Sequence, residues 1–336
     1  MPGKAPIKIG TDIITGIRPT RALTLANYIG AVKPIIDIQN SSSDSIMVFV
    51  ADLHGLTTHE LAEIKSFVLE IVADYIALGL DPERVTIFVQ SAITPQLAEL
   101  TLELNRHISV AELLRIPTLK EKIKQGDPET ASVALFLYPV LMAADILLQR
   151  SKKVPVGKDQ LPHIEITRKL ARKFNEKYTP IFPIPTYEIE EFPLILSLKG
   201  ESKMSKTYPE QALFLTDTAD ELRRKIKGAE TAEAGVLSDL VLSHFALVEG
   251  IITTDEDKNR LQDLSYKHQD GEKIMGVFKD FFADKVVEFV SNFQKERERI
   301  LAKSGYLQGI VEAGNEKAKK NAEETLRMMR SAHNRP

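Results

Sequence analysis

The apolar residues in the first ninety positions follow two different spacings. The runs "SIMVFVAD" and "RVTIFVQS" are short and continuously apolar, as in strands buried on both faces of a sheet, and "DIIT" predicts a further short strand. Apolar residues are spaced as on one face of a helix in two segments, "LTLANYIGAVKPIIDIQ" and "TTHELAEIKSFVLEIVADYIALGL". Pro34 is expected to bend the first of these helices. Buried strands separated by helices predict βαβ units and a parallel sheet covered on both faces.

Sheets of this kind bind ligands beyond the carboxyl ends of their strands, near the point where the strand order reverses. The predicted strand ends fall at Thr15–Gly16, Asp52–His54 and Gln90–Ser91. Within "TGIRPTRALTLANYIGA" the first strand runs into a helix, whose N-terminal N–H groups can hold a phosphate. From these residues alone, a phosphate site and an ordinary helix entry are both open.

Later segments extend the pattern. Residues 95–150 are mostly helical in spacing, "KKVPVG" and "LILSL" predict strands, "PIFPIPTYEIEEFP" is proline-rich and extended, and helical spacing continues from about residue 215. We predict an α/β fold, with a Rossmann-like parallel-sheet catalytic domain at residues 1–210 that includes a helical insertion at about 95–150. Residues 211–336 are predicted to form a C-terminal α-helical domain, whose last helix is a candidate to pack back on the catalytic domain.

Composition narrows the class of protein. The 336 residues carry a formal net charge of -3, which argues against a protein that binds polyanions over its whole surface. The chain has no cysteine, so disulfides and thiolate metal sites are excluded. No apolar run reaches about 18 residues, and the first residues lack the apolar segment of a signal peptide. We therefore expect no contact with a membrane and a cytoplasmic location.

The loop "GESKMSKT", residues 200–207, places two lysines three positions apart among glycine and serine. Lysine, a mobile point charge, suits a triphosphate, although a solvated charged loop has the same composition. The string from Lys203 to Thr207 resembles the KMSKS loop of class I aminoacyl-tRNA synthetases, differing in its last residue. After the first strand, "TLAN" at residues 24–27 occupies the place of the second signature of that class, the HIGH motif.

One acid stands out in an apolar helical segment, "LYPVLMAADILL" at residues 137–148. Burying a charge is unfavourable, so Asp145 needs a partner or a function. This segment, followed by "VPVGKDQLPHIE", resembles the tryptophan branch of the class, and almost the whole chain is similar to the bacterial-type tryptophanyl-tRNA synthetases. The resemblance implies that Asp145 accepts the indole N–H of tryptophan. That N–H is only a donor, and an acceptor in an apolar pocket selects for it.

The resemblance implies roles for particular residues. Those implied to bind tryptophan are Ile14, Gly16, His54, Tyr138, Met142, Asp145, Val154, Val156 and Gln160. Those implied to bind ATP are Arg18, Thr24, Ala26, Asn27, Gly157, Asp159, Gln160, Lys203, Met204, Ser205 and Lys206. The lysines implied to act in catalysis, on the phosphates, are Lys122, Lys203 and Lys206. No residue is implied as a metal ligand.

The implied reaction is activation of L-tryptophan by ATP to tryptophanyl-adenylate, followed by transfer of the acyl group to tRNA(Trp). The substrate's own carboxylate is the nucleophile, so the protein has to align reactants and stabilise charge. The resemblance also implies that ATP is a substrate, that Mg²⁺ is bound through its phosphates, that residues 211–336 bind the anticodon, and that the protein is a homodimer.

The sequence departs from the family at four positions. Ala26 replaces a glycine of the HIGH-like motif, and Arg18, Arg21 and Lys158 add positive charge near the expected phosphates. Three alternatives stay open: a tyrosyl-branch synthetase, a synthetase-like protein that binds RNA or tryptophan with weakened activation, and a small nucleotidyltransferase of related fold.

Overall fold

Five parallel strands form one sheet in the computed structural model, which describes residues 10–19, 22–55, 61–117, 119–120, 132–189 and 195–333. The strands are β1 (Ile13–Ile17), β2 (Ile46–Val50), β3 (Val85–Val89), β4 (Lys153–Val156) and β5 (Thr186–Ile189). Their order across the sheet is β3-β2-β1-β4-β5, all neighbours running parallel. The order reverses between β1 and β4, and the carboxyl ends of these strands mark the expected ligand position. The predicted fold class is confirmed.

Helices cover the sheet on both faces. In the part of the chain that precedes β5 they are α1 (Leu25–Asn27), α2 (Lys33–Ser41), α3 (Asp52–Gly55), α4 (Leu61–Ala77), α5 (Thr94–Asn105), α6 (Val110–Leu113), α7 (Val133–Leu148) and α8 (Leu161–Lys177). In the part that follows β5 they are α9 (Ala219–Lys227), α10 (Asp239–Glu249), α11 (Asp255–Gln269), α12 (Met275–Leu301) and α13 (Tyr306–His333). No helix among these described residues is long and apolar enough to cross a membrane.

The helix after β1 starts at a reciprocal cap. The Asn27 N–H donates to Thr24 Oγ1 at 3.2 Å, and the Thr24 N–H donates to Asn27 Oδ1 at 3.1 Å. Each side chain thereby satisfies a backbone donor that the first turn leaves unpaired. One bent helix was predicted here, but α1 and α2 are separated by a π-helical segment, Tyr28–Val32. Pro34 lies in the first turn of α2, directly after this segment.

Alternation along β1 separates two apolar cores. Ile14 points to the face that α7 covers, in one cluster with Phe88 and Val154. Ile13 points to the opposite face, in a second cluster that runs without a break from Val48 to Phe278 on α12. Because this second core is shared by the sheet and the C-terminal helices, the boundary between residues 210 and 211 stays a prediction.

Helix α13 lies against β3, the last strand on its side of the described sheet. Asn315 Oδ1 accepts the N–H of Val89 at 2.9 Å, so a side chain takes the place of a neighbouring strand. Approach is this close because Gly314 has no side chain; a Cβ there would lie 1.8 Å from the carbonyl oxygen of Ile87. Further along, Gln149 donates to the carbonyl oxygen of Ala318 at 3.1 Å.

The strand predicted in "LILSL" is wrong for the described residues 195–198. Leu196 forms only an isolated antiparallel bridge with Lys203. The Met204 N–H donates to the carbonyl oxygen of Ile195 at 2.9 Å, and Gly200, at a φ of +77°, turns the chain between them. Other backbone groups of this segment pair with distant residues: the Leu198 N–H donates to the carbonyl oxygen of Gln211 at 2.9 Å, and the Leu198 carbonyl oxygen accepts the N–H of Glu230 at 2.8 Å. The fifth strand comes from the proline-rich segment before it.

We expect Gly314→Ala to lower the free energy of unfolding by about 3 kcal/mol or more, because its methyl group overlaps backbone of β3. Gly309→Ala on the same helix is the control, since a Cβ there has open space and alanine favours a helix by about 1 kcal/mol over glycine. Urea unfolding monitored by circular dichroism measures the free energy of unfolding of each variant. Equal effects of the two substitutions would show that α13 is not seated against β3.

Candidate active site

Residues predicted for the site lie at the carboxyl ends of four adjacent strands. Gly16 lies on β1, His54 follows β2 in α3, Gln90 directly follows β3, and Gly157 directly follows β4. The strand order brings these ends side by side, and α7 with Asp145 packs against the same face as Ile14. The site therefore lies where a doubly wound sheet binds its ligands.

Asp145 is the centre of a buried polar network. Its side chain is 3 % exposed, and Gln90 Nε2 donates to Oδ1 at 2.9 Å and to Oδ2 at 2.8 Å. His54 Nδ1 lies 3.0 Å from Gln90 Nε2 and 3.8 Å from Asp145 Oδ2. Burial raises the pKa of Asp145 well above its ordinary value; the Gln90 hydrogen bonds lower it, and the nearby Asp52 raises it further.

Asp52 ties the ends of β2 and β3 together. It is fully buried, and its Oδ1 accepts the N–H of Leu53 at 3.0 Å and of Ser91 at 2.9 Å. Its Oδ2 has no hydrogen-bond partner among the described residues. Sequence reasoning marked Asp52 and Gln90 only as strand ends; an acid or amide directly after a buried strand was the available signal.

The apolar residues predicted for the tryptophan pocket fall on one face of the sheet. Ile14 and Val154 are buried in the cluster beside α7, and Met142 and Val156 are half-buried against it. Packing within the sheet also favours glycine at position 16, because a Cβ there would lie 2.8 Å from Cζ of Phe49 on β2. The pocket roles stay predictions, and any larger residue at this position would require the Phe49 ring to move.

Tyr138 on α7 and His163 on α8 form a buried pair. Tyr138 Oη lies 3.1 Å from His163 Nε2, with the rings edge to face at 5.1 Å between centroids. His163 was not predicted, and only its place in "LPHIE" pointed to it. A short 3₁₀ turn, Lys158–Gln160, starts at Gly157, whose carbonyl oxygen accepts the Gln160 N–H at 3.0 Å. The side chain of Asp159 lies outside the described residues.

The cap at α1 limits what the HIGH-like motif offers a phosphate. Since Asn27 Oδ1 accepts from Thr24, the amide NH₂ is the group that remains to donate. Ala26 is buried, in the core on the face of the sheet opposite α7. Arg18 is exposed at the end of β1, and Lys122 and Arg21 lie outside the described residues.

The KMSK-like loop is anchored by its methionine. Met204 is buried in the second core, Lys203 is exposed, and Ser205 and Lys206 are half-buried. Burial lowers the pKa of Lys206, and the charge of Asp74 on α4 opposes that effect. Asp74 also accepts from Arg297 Nε on α12, at 2.5 Å. The second lysine of the motif therefore lies near a charged contact between α4 and α12.

The comparisons with known proteins agree with this geometry. The sequence profile of the class I tRNA synthetases (W and Y) matches residues 10–328, and the chain belongs to that family. It is 37% identical over 332 residues to the tryptophan–tRNA ligase of Gloeobacter violaceus, covering 95% of this chain and 94% of that one. To the enzyme of the same name from Bacillus subtilis it is 34% identical over 330 residues, covering 95% and 96%.

The solved structures point to the same branch. The tryptophanyl-tRNA synthetase of Campylobacter jejuni, complexed with ADP and tryptophan, superimposes with a TM-score of 0.80 at 29% identity. The superposition covers 95% of this chain and 98% of that one. The family predicted from the sequence is confirmed.

We expect Asp145→Asn to change how stability depends on pH. The folded chain holds the Asp145 proton more tightly than the unfolded chain, whose pKa is the ordinary one near 3.8. The stability that this group contributes is therefore full below the ordinary pKa and falls as the pH rises towards the raised one, by up to about 1.4 kcal/mol per pH unit. Urea unfolding from about pH 4 to about pH 8 measures the difference between the two proteins. A difference that is constant with pH would contradict the prediction.

Proposed function

We propose that the chain activates L-tryptophan with ATP and transfers it to tRNA(Trp). The observation that supports this best is the buried acceptor Asp145, on a helix that packs its apolar residues against one face of the sheet, in a member of the W and Y family. The relatives that match over nearly their whole length are named tryptophan–tRNA ligase. Tryptophan complements such a site, since its indole has one donor and no acceptor.

The activation step places few chemical demands on the protein. The tryptophan carboxylate attacks the α-phosphate of ATP, and pyrophosphate leaves. The chain has to hold the two reactants in line and stabilise charge on the phosphates. Asn27 offers its amide NH₂ at the start of α1, and Lys203 and Lys206 offer mobile cations from the loop that Met204 anchors. Lys122 is proposed as a third cation.

Mg²⁺ is proposed to arrive bound to ATP. No group of three or more His, Asp or Glu side chains could hold a metal among the residues that the structure describes. A cation coordinated by the phosphates themselves does not require such a group, so this donor set fits the proposal. Bound there, the cation would neutralise phosphate charge.

Dimerisation is proposed through an apolar surface at α5, α6 and the start of α7. Its exposed large apolar side chains are Leu102, Val110, Leu114 and Val133. Single exposed apolar residues are common, but several within one stretch of about thirty residues favour an interface. The cytoplasmic location stays a prediction.

Sedimentation equilibrium tests the dimer, with an expected mass about twice 37.6 kDa. Val133→Asp should shift the protein towards monomer, because Val133 is 71 % exposed in the single chain and would be buried in the pair. Val277→Asp, at an exposed valine on α12, is the matched control and should leave the mass unchanged. A monomer at all concentrations would refute this proposal.

Amino-acid-dependent ATP–pyrophosphate exchange, run with each of the twenty amino acids, tests the function. Exchange should depend on tryptophan, and Lys206→Ala should slow it by about 10²–10³-fold with tryptophan affinity little changed. Lys199→Ala is the control, because that nearby lysine is exposed and paired with Glu230 at 3.1 Å. Exchange with tyrosine instead would support the tyrosyl branch, and absence of exchange would support a non-activating relative.

A further inference from the structure

If Asp145 accepts the indole N–H, as the proposed function requires, one of its oxygens has to be available. Yet Gln90 Nε2 lies within hydrogen-bond distance of both oxygens, at 2.9 and 2.8 Å. Gln90 is itself completely buried. The described residues provide no lysine or arginine paired with Asp145, so the amide is the donor that its carboxylate has in place of a cation.

The orientation of this amide is fixed by the backbone. Gln90 Oε1 accepts the backbone N–H of Leu53 at 3.2 Å and that of His54 at 3.3 Å. These are the second and third residues of α3. Turning the amide over would set its NH₂ against two N–H donors and its oxygen against a carboxylate. Helix α3 thereby holds the donor end of Gln90 on Asp145.

Counting hydrogens shows what this leaves for a ligand when Asp145 is ionised, the form in which both of its oxygens accept. The NH₂ group has two hydrogens, but three acceptor positions lie within 3.0 Å: the two Asp145 oxygens and His54 Nδ1. When the neutral His54 accepts one hydrogen, only the other is left for Asp145. One carboxylate oxygen is then short of a donor, and an indole N–H can supply it.

We propose that Gln90 is a positioning residue for amino-acid selection, which holds one oxygen of Asp145 and leaves the other to the indole N–H. It acts through Asp145, without touching the reacting atoms. The alternative is a purely structural amide that ties β3 to α3. The two roles predict different results when Gln90 is replaced. Loss of a structural amide affects all amino-acid substrates alike, whereas loss of a positioning residue affects those with an indole N–H most.

The test compares tryptophan with β-(3-benzothienyl)alanine, which has the same shape but sulfur in place of the N–H. Pyrophosphate exchange gives kcat/KM for both. Gln90→Met should lower the ratio of the two values by about 10- to 100-fold, the effect of one lost buried hydrogen bond, mainly through the KM of tryptophan. In an Asp145→Ala background, which should already have lost the preference for tryptophan, Gln90→Met should not change the ratio further.

A second buried glutamine provides the matched control. Gln149 is also fully buried, and it donates to Ala318 and accepts from Asn321 at 3.2 Å, away from the site. Gln149→Met should lower stability and leave the substrate ratio unchanged. An unchanged ratio in Gln90→Met, or an equal loss in the Asp145→Ala background, would overturn the proposal. Wild-type exchange with tryptophan tests the proposed function separately, since it does not depend on Gln90 acting this way.

Gln90→Glu keeps the inference testable if Gln90→Met does not fold. It has the same size, and it keeps an oxygen for the N–H groups of Leu53 and His54. Its carboxyl group donates to Asp145 only when protonated, so the substrate ratio should recover as the pH is lowered. Asp52 and His54 are the other titratable groups beside the pair, and both are present in the variant and in the wild type. Dividing by the pH dependence of the wild-type substrate ratio therefore removes their contribution. A ratio that does not recover at low pH would contradict the positioning role.

Discussion

The carboxyl edge of the sheet is organised around one requirement: the buried carboxylate of Asp145, on the otherwise apolar helix α7, needs hydrogen-bond donors. Asp145 receives its donor from Gln90, and Gln90 is oriented by the first N–H groups of α3. Asp52 then joins α3 to the residue after Gln90. The ends of β2 and β3, with α3 and α7, are thus fixed relative to one another by a few hydrogen bonds. An unmade hydrogen bond in such a buried region is unfavourable.

The sheet itself separates the two halves of the proposed reaction. The residues expected around tryptophan belong to the core beside α7, and Ala26 and Met204, from the two ATP motifs, belong to the core of the opposite face. Gln160, implied to contact both substrates, follows β4 at the carboxyl edge of the sheet. Amino-acid selection and phosphate binding can therefore be altered by mutation with little overlap in packing.

Much of this arrangement could be predicted from the sequence, because continuous apolar runs mark β1, β2 and β3 and an acid in an apolar helix marks Asp145. The turn at residues 195–204 could not, because "LILSL" has the composition of a strand, and its backbone pairs within the turn and with distant residues instead of with the sheet. Gln90 could be placed at a strand end but not given a partner. An amide hydrogen bond between residues 55 positions apart leaves no periodic pattern in the sequence.

The contact between Asn315 and Val89 has a consequence for how the chain folds during synthesis. The two residues are 226 positions apart, and until the later one leaves the ribosome the outer side of β3 presents unpaired backbone groups. At ordinary rates of translation, about 5–20 residues per second, that interval lasts on the order of ten seconds or more. The nascent sheet therefore passes through a long period in which its open side can pair with another chain, and the arrival of α13 ends that period.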